Sequence, residues 1–390
     1  MNKTRFLCLI FALMLVLCAC SGAPAETTMP ETTAAPTEPA PVKEMFTAAD
    51  MNGIDHTEKN VNFNSIDFSQ QPHFTNDLGL HDYYLDCMAN RCRNILFSID
   101  KKAMPNISAS AFCEKYKLAW CNPKMEPGSN GINYMISITY YPGDNVAWAY
   151  LNDDKSTLTA EELELYDVAV AWLGENITEE MSDYEKIETI YGYLSGNVRY
   201  SNDLLNALNT SYTFDLGITA YGAMIDNLTI CQGYADAFDM LTSMLGMNCV
   251  QIFGQGGGPH NWNLIELEGN WYHVDCTWGA GFGGVDGRCN WAYMLSSDAQ
   301  MGRDHSWDRD YYPDAADDAL NFYTYHDLYV NGEEELDAKI GDLLAAGAEQ
   351  VDVYVKNVTL KQMRDYLSGI GAQFHVKEYF GDLIVCAWIP

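Results

Sequence analysis

Hydrophobic residues recur at three- and four-residue spacings in three stretches of the chain, and this period predicts amphipathic helices. Thr159 and Glu162 have the spacing of a capping box, and the run that follows them ends at Gly174. Ser182 and Glu185 repeat that spacing before an apolar face of Tyr184, Ile187, Ile190, Tyr191 and Leu194. The third helix ends at Gly246 and has an apolar face of Tyr234, Ala237, Phe238, Leu241, Met244 and Leu245.

Shorter runs of β-branched and aromatic residues predict strands on both sides of these helices. NILFSI, INYMISITYY and VAWAYL precede the helices, whereas CVQIF follows them and leads into a glycine-rich loop, GQGGGP. HNWNLIELEGNWYHVDCTW, residues 260–278, predicts a hairpin that turns at Glu268, Gly269 and Asn270. Residues 45–85 show no clear period, so the pattern predicts no element there.

Residues 316–390 predict a small α/β unit in which two helices alternate with three strands. The strands are VDVYV, QFHV and LIVCAWI, and Thr359 with Gln362 forms a capping box before the second helix. The two apolar helix faces consist of Leu336, Ile340, Leu343 and Leu344, and of Leu360, Met363 and Leu367. Helices and strands together place the chain in the α+β class.

The start of the chain has the composition of an export signal. Two basic residues precede an apolar segment, residues 6–16, which is too short to span a bilayer as a mature helix. The following LCAC resembles the bacterial lipobox, and the alternative is an ordinary secretory signal that contains cysteines. We predict a signal peptide at 1–19, then a lipidated Cys20 with a Thr/Pro-rich tether over 20–44, which anchors the protein to the extracellular face of a bacterial membrane.

Charge narrows the range of partners. The chain has 22 basic and 54 acidic residues, for a formal net charge of −32. Such a chain repels phosphate backbones and anionic lipids, so we expect no nucleic-acid binding and membrane contact only through the N-terminal lipid. The acidic residues are scattered, which is typical of a solvated surface.

Of the 12 cysteines, nine remain after the signal segment and Cys20 are set aside. An exported chain permits disulfides, but an odd count leaves at least one thiol, and the sequence does not give the pairing. No C-x-x-C pair occurs, which argues against a structural zinc site.

Cys231 lies at or just before the N-terminus of the third helix. The unpaired N–H groups and the positive dipole end at such a position favour a thiolate, the nucleophilic form of cysteine. An imidazole can take the thiol proton, and a carboxylate can orient the imidazole. The predicted hairpin offers His260 on its first strand and Asp275 on its second strand.

These two hairpin residues share a face if the turn contains an even number of residues. With residues 267–270 as the loop, Asp275 lies opposite Trp262 and diagonal to His260. Diagonal neighbours are about 7–8 Å apart, so their side chains can form a hydrogen bond. An odd loop without a bulge would place them on opposite faces, and the pattern leaves both arrangements open.

Three motifs, CQGYADAF, HNWN and GNWYHVDCTW, occur in order, with Cys231, His260 and Asp275 spaced 29 and 15 residues apart. Over residues 180–280 they resemble the transglutaminase-like superfamily of papain-type cysteine enzymes, and in particular its exported bacterial lipoprotein branch. The resemblance implies a catalytic domain at 156–315, between an N-terminal accessory α+β region at 45–155 and the C-terminal unit at 316–390.

The resemblance also implies a papain-like core in which a cysteine-bearing helix packs on an antiparallel sheet. Cys231 would be the nucleophile, His260 the general base and acid, and Asp275 the orienting carboxylate. Gly233 would let the helix approach the sheet closely, and the backbone N–H of Cys231 would stabilise an oxyanion, with Tyr200 as a candidate second donor.

Neighbouring side chains have competing interpretations. His273 shares the predicted face of Asp275 and competes as the base, but it lacks the H-x-W-N context, which favours a structural role. His305, in DHSWD, is expected to pack or hydrogen-bond outside the site. We expect three tryptophans to form walls of the core, namely Trp262, Trp271 and Trp278, and Trp262 could also contact substrate.

Other cysteines compete with Cys231 for a role. Cys276 departs from the family pattern, so a disulfide between Cys276 and Cys289, or capture of Cys231 by one of these thiols, stays open. A metal site of Cys231, Cys249, Cys276 and His260 matches no known ligand spacing, and we expect neither metal nor cofactor.

These observations predict a cell-surface cysteine enzyme that acts on amide bonds through a thioacyl intermediate. With water as the acceptor the enzyme is a peptidase or amidase, which is the first expectation. With a lysine amine it is a transamidase that cross-links proteins, and a third alternative is a non-catalytic binding or adhesion module on the same fold. The expected partner is a protein or peptide, with a cell-wall peptide among the alternatives.

Overall fold

The computed structural model describes residues 61–116, 118–211, 215–281, 288–348 and 350–388. The signal peptide, Cys20 and the tether lie outside the described residues and stay predictions. Within the described residues, no helix combines the length and the hydropathy needed to cross a bilayer.

Helices and strands alternate irregularly along the chain, as the α+β class requires. The helices are α1 (Leu80–Ala89), α2 (Ala109–Tyr116), α3 (Pro142–Asn152), α4 (Ala160–Asn176), α5 (Asp183–Asn197), α6 (Asn202–Ser211), α7 (Cys231–Met244), α8 (Cys276–Gly279), α9 (Asp298–Met301), α10 (Phe322–Tyr325), α11 (Gly332–Ala345) and α12 (Leu360–Gly369). The strands are β1 (His73–Phe74), β2 (Asn94–Ile99), β3 (Trp120–Gly128), β4 (Gly131–Thr139), β5 (Arg199–Tyr200), β6 (Leu228–Thr229), β7 (Cys249–Gln255), β8 (Pro259–Leu267), β9 (Asn270–Val274), β10 (Tyr329–Asn331), β11 (Gln350–Lys356), β12 (Gln373–Tyr379) and β13 (Asp382–Trp388).

The N-terminal region is built on a four-stranded sheet in the order β1-β2-β4-β3. β2 is buried along its whole length, and its Phe97 stacks on Tyr134 of β4 with ring centroids 4.9 Å apart. The predictions of strands at β2 and β4 are confirmed. α1, which begins inside the stretch 45–85 that shows no clear period, contributes Tyr83 and Tyr84 to the core of this region.

The prediction of a strand at VAWAYL is wrong, because these residues belong to α3. Pro142 occupies the start of this helix, where its missing N–H leaves no hydrogen bond unmade. Val146, Ala147 and Ala149 are buried against the central part of the molecule. A short apolar run fits a buried helix as well as a strand, which is why the sequence pattern misled.

The central part of the molecule is the predicted helix on an antiparallel sheet. The capping boxes of Thr159 with Glu162 and of Ser182 with Glu185 are both present and begin α4 and α5. α7 is buried along most of its length and packs on a three-stranded antiparallel sheet in the order β7-β8-β9. Gly246 follows α7 with a left-handed backbone, as expected for a helix stop.

The hairpin has the predicted register. Asn263 pairs with Val274 and Leu264 with His273, so Trp262 lies across from position 275. The turn itself contains two residues, Glu268 and Gly269, both with positive φ, which is the requirement of a type I′ turn. This two-residue loop and the predicted loop over 267–270 are both centred between Glu268 and Gly269. They therefore give the same pairing of β8 with β9.

The C-terminal part contains a mixed sheet in the order β10-β11-β13-β12. β10 and β11 are parallel and are joined through α11, while the remaining pairs are antiparallel. The capping box of Thr359 and Gln362 begins α12, as predicted. One hydrophobic core contains Leu336 and Val385 of this part together with Phe238 of α7.

Candidate active site

Cys231 is the first residue of α7, and Ile230 before it has the extended backbone of an N-cap residue. The Ile230 carbonyl accepts hydrogen bonds from the N–H groups of Gly233 (2.9 Å) and Tyr234 (3.2 Å), which closes the first turn. The N–H groups at a helix start point out of its N-terminus and favour negative charge there. Cys231 is nearly buried, with 8% of the residue exposed.

Gly233 permits a close approach of α7 to the segment that contains Thr219 and Thr229, whereas the prediction was a close approach of α7 to the antiparallel sheet. A Cβ atom at this position would lie 1.9 Å from Thr229 Oγ1 and 2.6 Å from the Thr219 carbonyl oxygen. The helix therefore needs glycine because the chain segment before it, rather than β8, presses on its first turn. Thr229 Oγ1 donates to the Gly217 carbonyl at 2.7 Å, which fixes that segment.

His260 on β8 and Asp275 meet diagonally across the hairpin, with His260 Nε2 2.8 Å from Asp275 Oδ2. Cys231 is a hydrogen-bond partner of the same imidazole, and Nδ1 is the ring nitrogen left for it. The structure thus brings the three predicted site residues together. Burial lowers the pKa of His260, but the charge and hydrogen bond of Asp275, with the bond to Cys231, outweigh burial and raise it to about 10.

The prediction that Asp275 is a strand residue is wrong, because β9 ends at Val274. Its carboxylate caps α8 by accepting from the N–H groups of Thr277 (2.8 Å) and Trp278 (3.0 Å). Burial favours a raised pKa, but the charges and hydrogen bonds of His260 and His305 hold the pKa of Asp275 well below its usual range. The site therefore contains a buried, ionised carboxylate.

His305 lies inside the site, so the prediction that it packs outside is wrong. Its Nε2 is 3.1 Å from Asp275 Oδ2, on the same oxygen that bonds His260, and its Nδ1 is 2.6 Å from Asp304 Oδ1. The centroids of the His260 and His305 rings are 5.3 Å apart. The adjacent Asp304 in the sequence is the one local signal that could have identified His305 as a polar site residue.

His273 has the structural role that the sequence favoured. Its Nδ1 is 2.9 Å from Trp262 Nε1 and its Nε2 is 2.8 Å from Asp298 Oδ1, so both ring nitrogens are used away from Cys231. Trp262 is a wall of the site and stacks on His260 with centroids 5.7 Å apart. With 1% of its surface exposed, Trp262 offers no substrate platform, which corrects that part of the prediction.

A chain of amide side chains, which the sequence reasoning missed, ties the start of α7 to the sheet. Asn261 donates to Gln232 Oε1, Gln232 Nε2 donates to Gln251 Oε1 at 3.1 Å, and Gln251 Nε2 donates to Asp239 Oδ2 at 3.2 Å. Asn263 Nδ2 also donates to the Ala235 carbonyl at 3.1 Å. These bonds explain the polar residues next to Cys231 and His260 in the motifs.

Cys276 and Cys289 are not joined by a disulfide, and Cys231 is a thiol. Cys276 is fully enclosed, and burial raises the pKa of its thiol well above the usual value. Tyr200, the candidate second oxyanion donor, is half-buried. Burial, followed by the nearby Cys231 and Asp275, raises the pKa of Tyr200 to about 12, so its hydroxyl keeps its proton.

Metal binding is the other chemistry that this cluster suggests, since ligand atoms of His260, Asp275 and His305 lie within 4.8 Å of one another. The two oxygens of Asp275 already accept four hydrogen bonds, from His260, His305, Thr277 and Trp278. The cluster is accounted for by these bonds, and we assign it no metal.

Comparison with known proteins places this geometry in a family context. Residues 171–276 match the family model described as the Transglutaminase-like superfamily, and this segment includes Cys231, His260 and Asp275. The chain thus contains a transglutaminase-like domain within its α+β fold. The match ends one residue after Asp275, so it does not include His305.

Two curated relatives are similar to part of the chain. Kyphoscoliosis peptidase of Mus musculus is 26% identical over 118 residues, covering 27% of this chain and 17% of that protein. Kyphoscoliosis peptidase of Homo sapiens is 35% identical over 66 residues, covering 14% of this chain and 10% of that protein. The chain spans less than a fifth of the length of these relatives.

Two solved structures align with low scores. A structure described as a TGase is 13% identical and covers 53% of this chain and 59% of that chain, with a TM-score of 0.27. "A Putative Cysteine Protease from Cytophaga hutchinsonii" is 12% identical and covers 40% of this chain and 62% of that chain, with a TM-score of 0.24.

Proposed function

We propose that the transglutaminase-like domain is a cysteine peptidase or amidase that cleaves amide bonds through a thioacyl intermediate. The observation that carries the proposal is the arrangement at the start of α7. Cys231 lies at a helix N-terminus, its thiol is a hydrogen-bond partner of His260, and His260 Nε2 is 2.8 Å from Asp275 Oδ2, which leaves Nδ1 for the thiol. Each side chain has the partner that its role in acyl transfer requires.

In the first half of the reaction, the Cys231 thiol gives its proton to His260, and the sulfur attacks the amide carbonyl carbon. The new C–S bond converts the carbonyl oxygen to an oxyanion, for which the Cys231 N–H is the proposed donor and the Tyr200 hydroxyl the candidate second donor. His260 then gives its proton to the departing nitrogen. The C–N bond breaks, the amine leaves, and a thioester remains on Cys231.

In the second half, His260 takes a proton from water, and the resulting hydroxide attacks the thioester carbonyl carbon. The C–S bond breaks, the carboxylic acid leaves, and the Cys231 sulfur recovers its proton from His260. Throughout, the buried Asp275 carboxylate keeps His260 in the orientation that leaves Nδ1 on the sulfur side. An amine in place of water would give a new amide, which is transamidation.

The relatives support hydrolysis as the first choice, because both are described as peptidases. Their similarity covers 27% and 14% of this chain. We therefore extend to this chain the class of bond, an amide in a protein or peptide, and no particular substrate.

The first test is the reactivity of Cys231 toward iodoacetamide in the native protein, read residue by residue by mass spectrometry. We expect Cys231 to be alkylated at least about tenfold faster than the other cysteines at neutral pH, and His260→Ala to abolish the difference. The matched control is Cys276→Ala, which removes a buried neighbouring thiol and should leave the Cys231 rate unchanged. Equal, slow labelling of all cysteines would refute an activated nucleophile.

The second test separates the reaction classes. The full chain is incubated with a fluorogenic peptide library, with and without a primary amine, and products are identified by mass. Cleavage that is lost in Cys231→Ala supports the peptidase. Amine incorporation without cleavage would replace it with a transamidase, and a reactive Cys231 without either product would favour a binding module.

A further inference from the structure

His305 faces a carboxylate oxygen with each of its two ring nitrogens. Nε2 lies 3.1 Å from Asp275 Oδ2, and Nδ1 lies 2.6 Å from Asp304 Oδ1. An ionised carboxylate only accepts hydrogen bonds, so each of these nitrogens has to donate. An imidazole with a proton on both nitrogens is the imidazolium cation.

Both carboxylates accept further hydrogen bonds besides those from His305. Asp275 also accepts from His260 Nε2 and from the N–H groups of Thr277 and Trp278, which leaves no oxygen without a donor. Asp304 Oδ2 accepts from the Tyr293 hydroxyl at 2.6 Å. The side chain of His305 has no solvent exposure, so water cannot replace either partner.

His273 provides the contrasting case only a short distance away. Trp262 Nε1 is a donor only, so His273 Nδ1 has to accept from it and carries no proton. His273 is therefore neutral, with its proton on Nε2 facing Asp298. Two buried histidines near the hairpin differ in charge because one meets two acceptors and the other meets one acceptor and one donor.

We propose that His305 is a cationic positioning residue, which shares the Oδ2 oxygen of Asp275 with His260, balances the charge of that carboxylate and so sets the pH range over which His260 gives up its proton. The first half of this proposal concerns the charge of His305 alone, and the second half rests on the proposed function of His260. The direction of the His305 titration agrees with the geometry. Burial lowers its pKa, but the hydrogen bonds and charges of Asp275 and Asp304 raise it above the usual value.

The physical effect of this cation on the site has a definite sign. The rings of His260 and His305 are 5.3 Å apart, a distance at which a like charge disfavours protonation. His305 also shares the Asp275 carboxylate, which would otherwise act on His260 alone. Both effects make His260 a better proton donor. The titratable groups that face His305 are Asp275 from the N-cap of α8, His260 from β8, His273 from β9, and Tyr293 and Asp304.

The charge of His305 is tested by NMR of the full chain labelled with ¹⁵N-histidine, with the signals assigned by His305→Gln. We expect both ring nitrogens of His305 to stay in the protonated form from about pH 5 to about pH 9, and His273 to stay neutral over that range. Asp304→Asn removes one acceptor and should bring the titration of His305 into this range. A neutral His305 at pH 7 in the unaltered protein overturns the proposal.

Its effect on His260 is tested by the pH dependence of Cys231 alkylation, a readout that does not need a substrate. In His305→Gln, the inflection that His260→Ala abolishes should move upward by about one pH unit, because a positive charge has been removed. The matched control, His273→Gln, removes a buried neutral histidine and should leave that inflection in place.

The outcomes separate this proposal from the proposed function. An unshifted inflection in His305→Gln overturns the role of His305, whatever the enzyme cleaves. A shifted inflection without any turnover of peptides supports the role of His305 and counts against the peptidase. If His305→Gln does not fold, Asp304→Asn carries the same test, because at alkaline pH it leaves His305 neutral and should move the inflection in the same direction.

Discussion

Asp275 at the start of α8 and Asp236 on α7 are both buried, with 0% and 1% of their surfaces exposed, yet their surroundings push their pKa values in opposite directions. Asp275 receives two imidazoles and two backbone N–H groups. Asp236 receives the N–H groups of Ala220 (2.8 Å) and Gly143 (3.4 Å) on one oxygen, and its other oxygen has no hydrogen-bond partner among the described residues.

The Asp236 carboxyl therefore stays protonated at neutral pH. Burial raises its pKa, the Ala220 and Gly143 N–H groups only partly offset burial, and the net value is about 8. For Asp275, two histidines outweigh a complete burial. A buried carboxyl is thus ionised where donors and cations match its oxygens, and neutral where they do not. The hydrogen-bond donors and cations around a buried aspartate, more than the residue type, decide whether its carboxyl is ionised at neutral pH.

Asp275→Asn should have the largest effect, because it replaces an acceptor of four hydrogen bonds by a group whose nitrogen cannot accept any. We expect kcat for peptide cleavage to fall by about 10³-fold or more, since His260 loses both its orientation and the charge that stabilises its protonated form. The control is Asp298→Asn, which changes the partner of His273 and should cost far less activity. Similar losses of kcat in Asp275→Asn and Asp298→Asn would contradict a special role for the Asp275 carboxylate.

Asp236→Asn should change the pH dependence of stability. The folded protein binds the Asp236 proton more tightly than the unfolded chain, so the stabilisation is fully present below pH 3.8 and is lost as the pH rises through about 8. Between these values the unfolding free energy of the unaltered protein should fall relative to the variant, by about 1.4 kcal/mol for each pH unit. Urea unfolding at several pH values measures this difference, and parallel curves would show that Asp236 is ionised in the fold.

Gly233→Ala should have a smaller effect, but on both the stability of the fold and the reactivity of the site, because Gly233 lies between Cys231 and Asp236 on α7. The added methyl would meet Thr229 and the Thr219 carbonyl, and we expect a loss of about 1–3 kcal/mol in unfolding free energy with slower Cys231 alkylation. The control is Gly174→Ala on α4, where nothing lies within 4 Å and helix propensity favours alanine. Equal stability of both variants would show that α7 can shift without cost.

Much of the local structure followed from the sequence. Capping boxes at Thr159, Ser182 and Thr359 specify helix starts through bonds between residues three apart, so no distant partner is needed. Alternation placed Asp275 diagonal to His260 on condition that the turn has even length, and the two-residue turn of the structure meets that condition. The order of the motifs then indicated Cys231 as their partner.

Local patterns failed where an element is specified by its neighbours. The strand predicted at VAWAYL is helical in α3, because Val146 and Ala149 pack on the central core. Asp275 leaves the strand because its own carboxylate caps the next helix, a competition between two local bonds that alternation does not reveal.

By itself the sequence indicated which residues could act together: Cys231 at a helix start, His260 on the first strand of a hairpin, and Asp275 diagonal to His260 across that hairpin. Only the tertiary structure decided the charge of the site. His305 is placed there by backbone pairing of its neighbour Ser306 with Gln255, at 2.8 and 3.0 Å, across 51 positions of the chain. No period or motif encodes that contact, because it depends on the fold that brings the end of β7 to this loop.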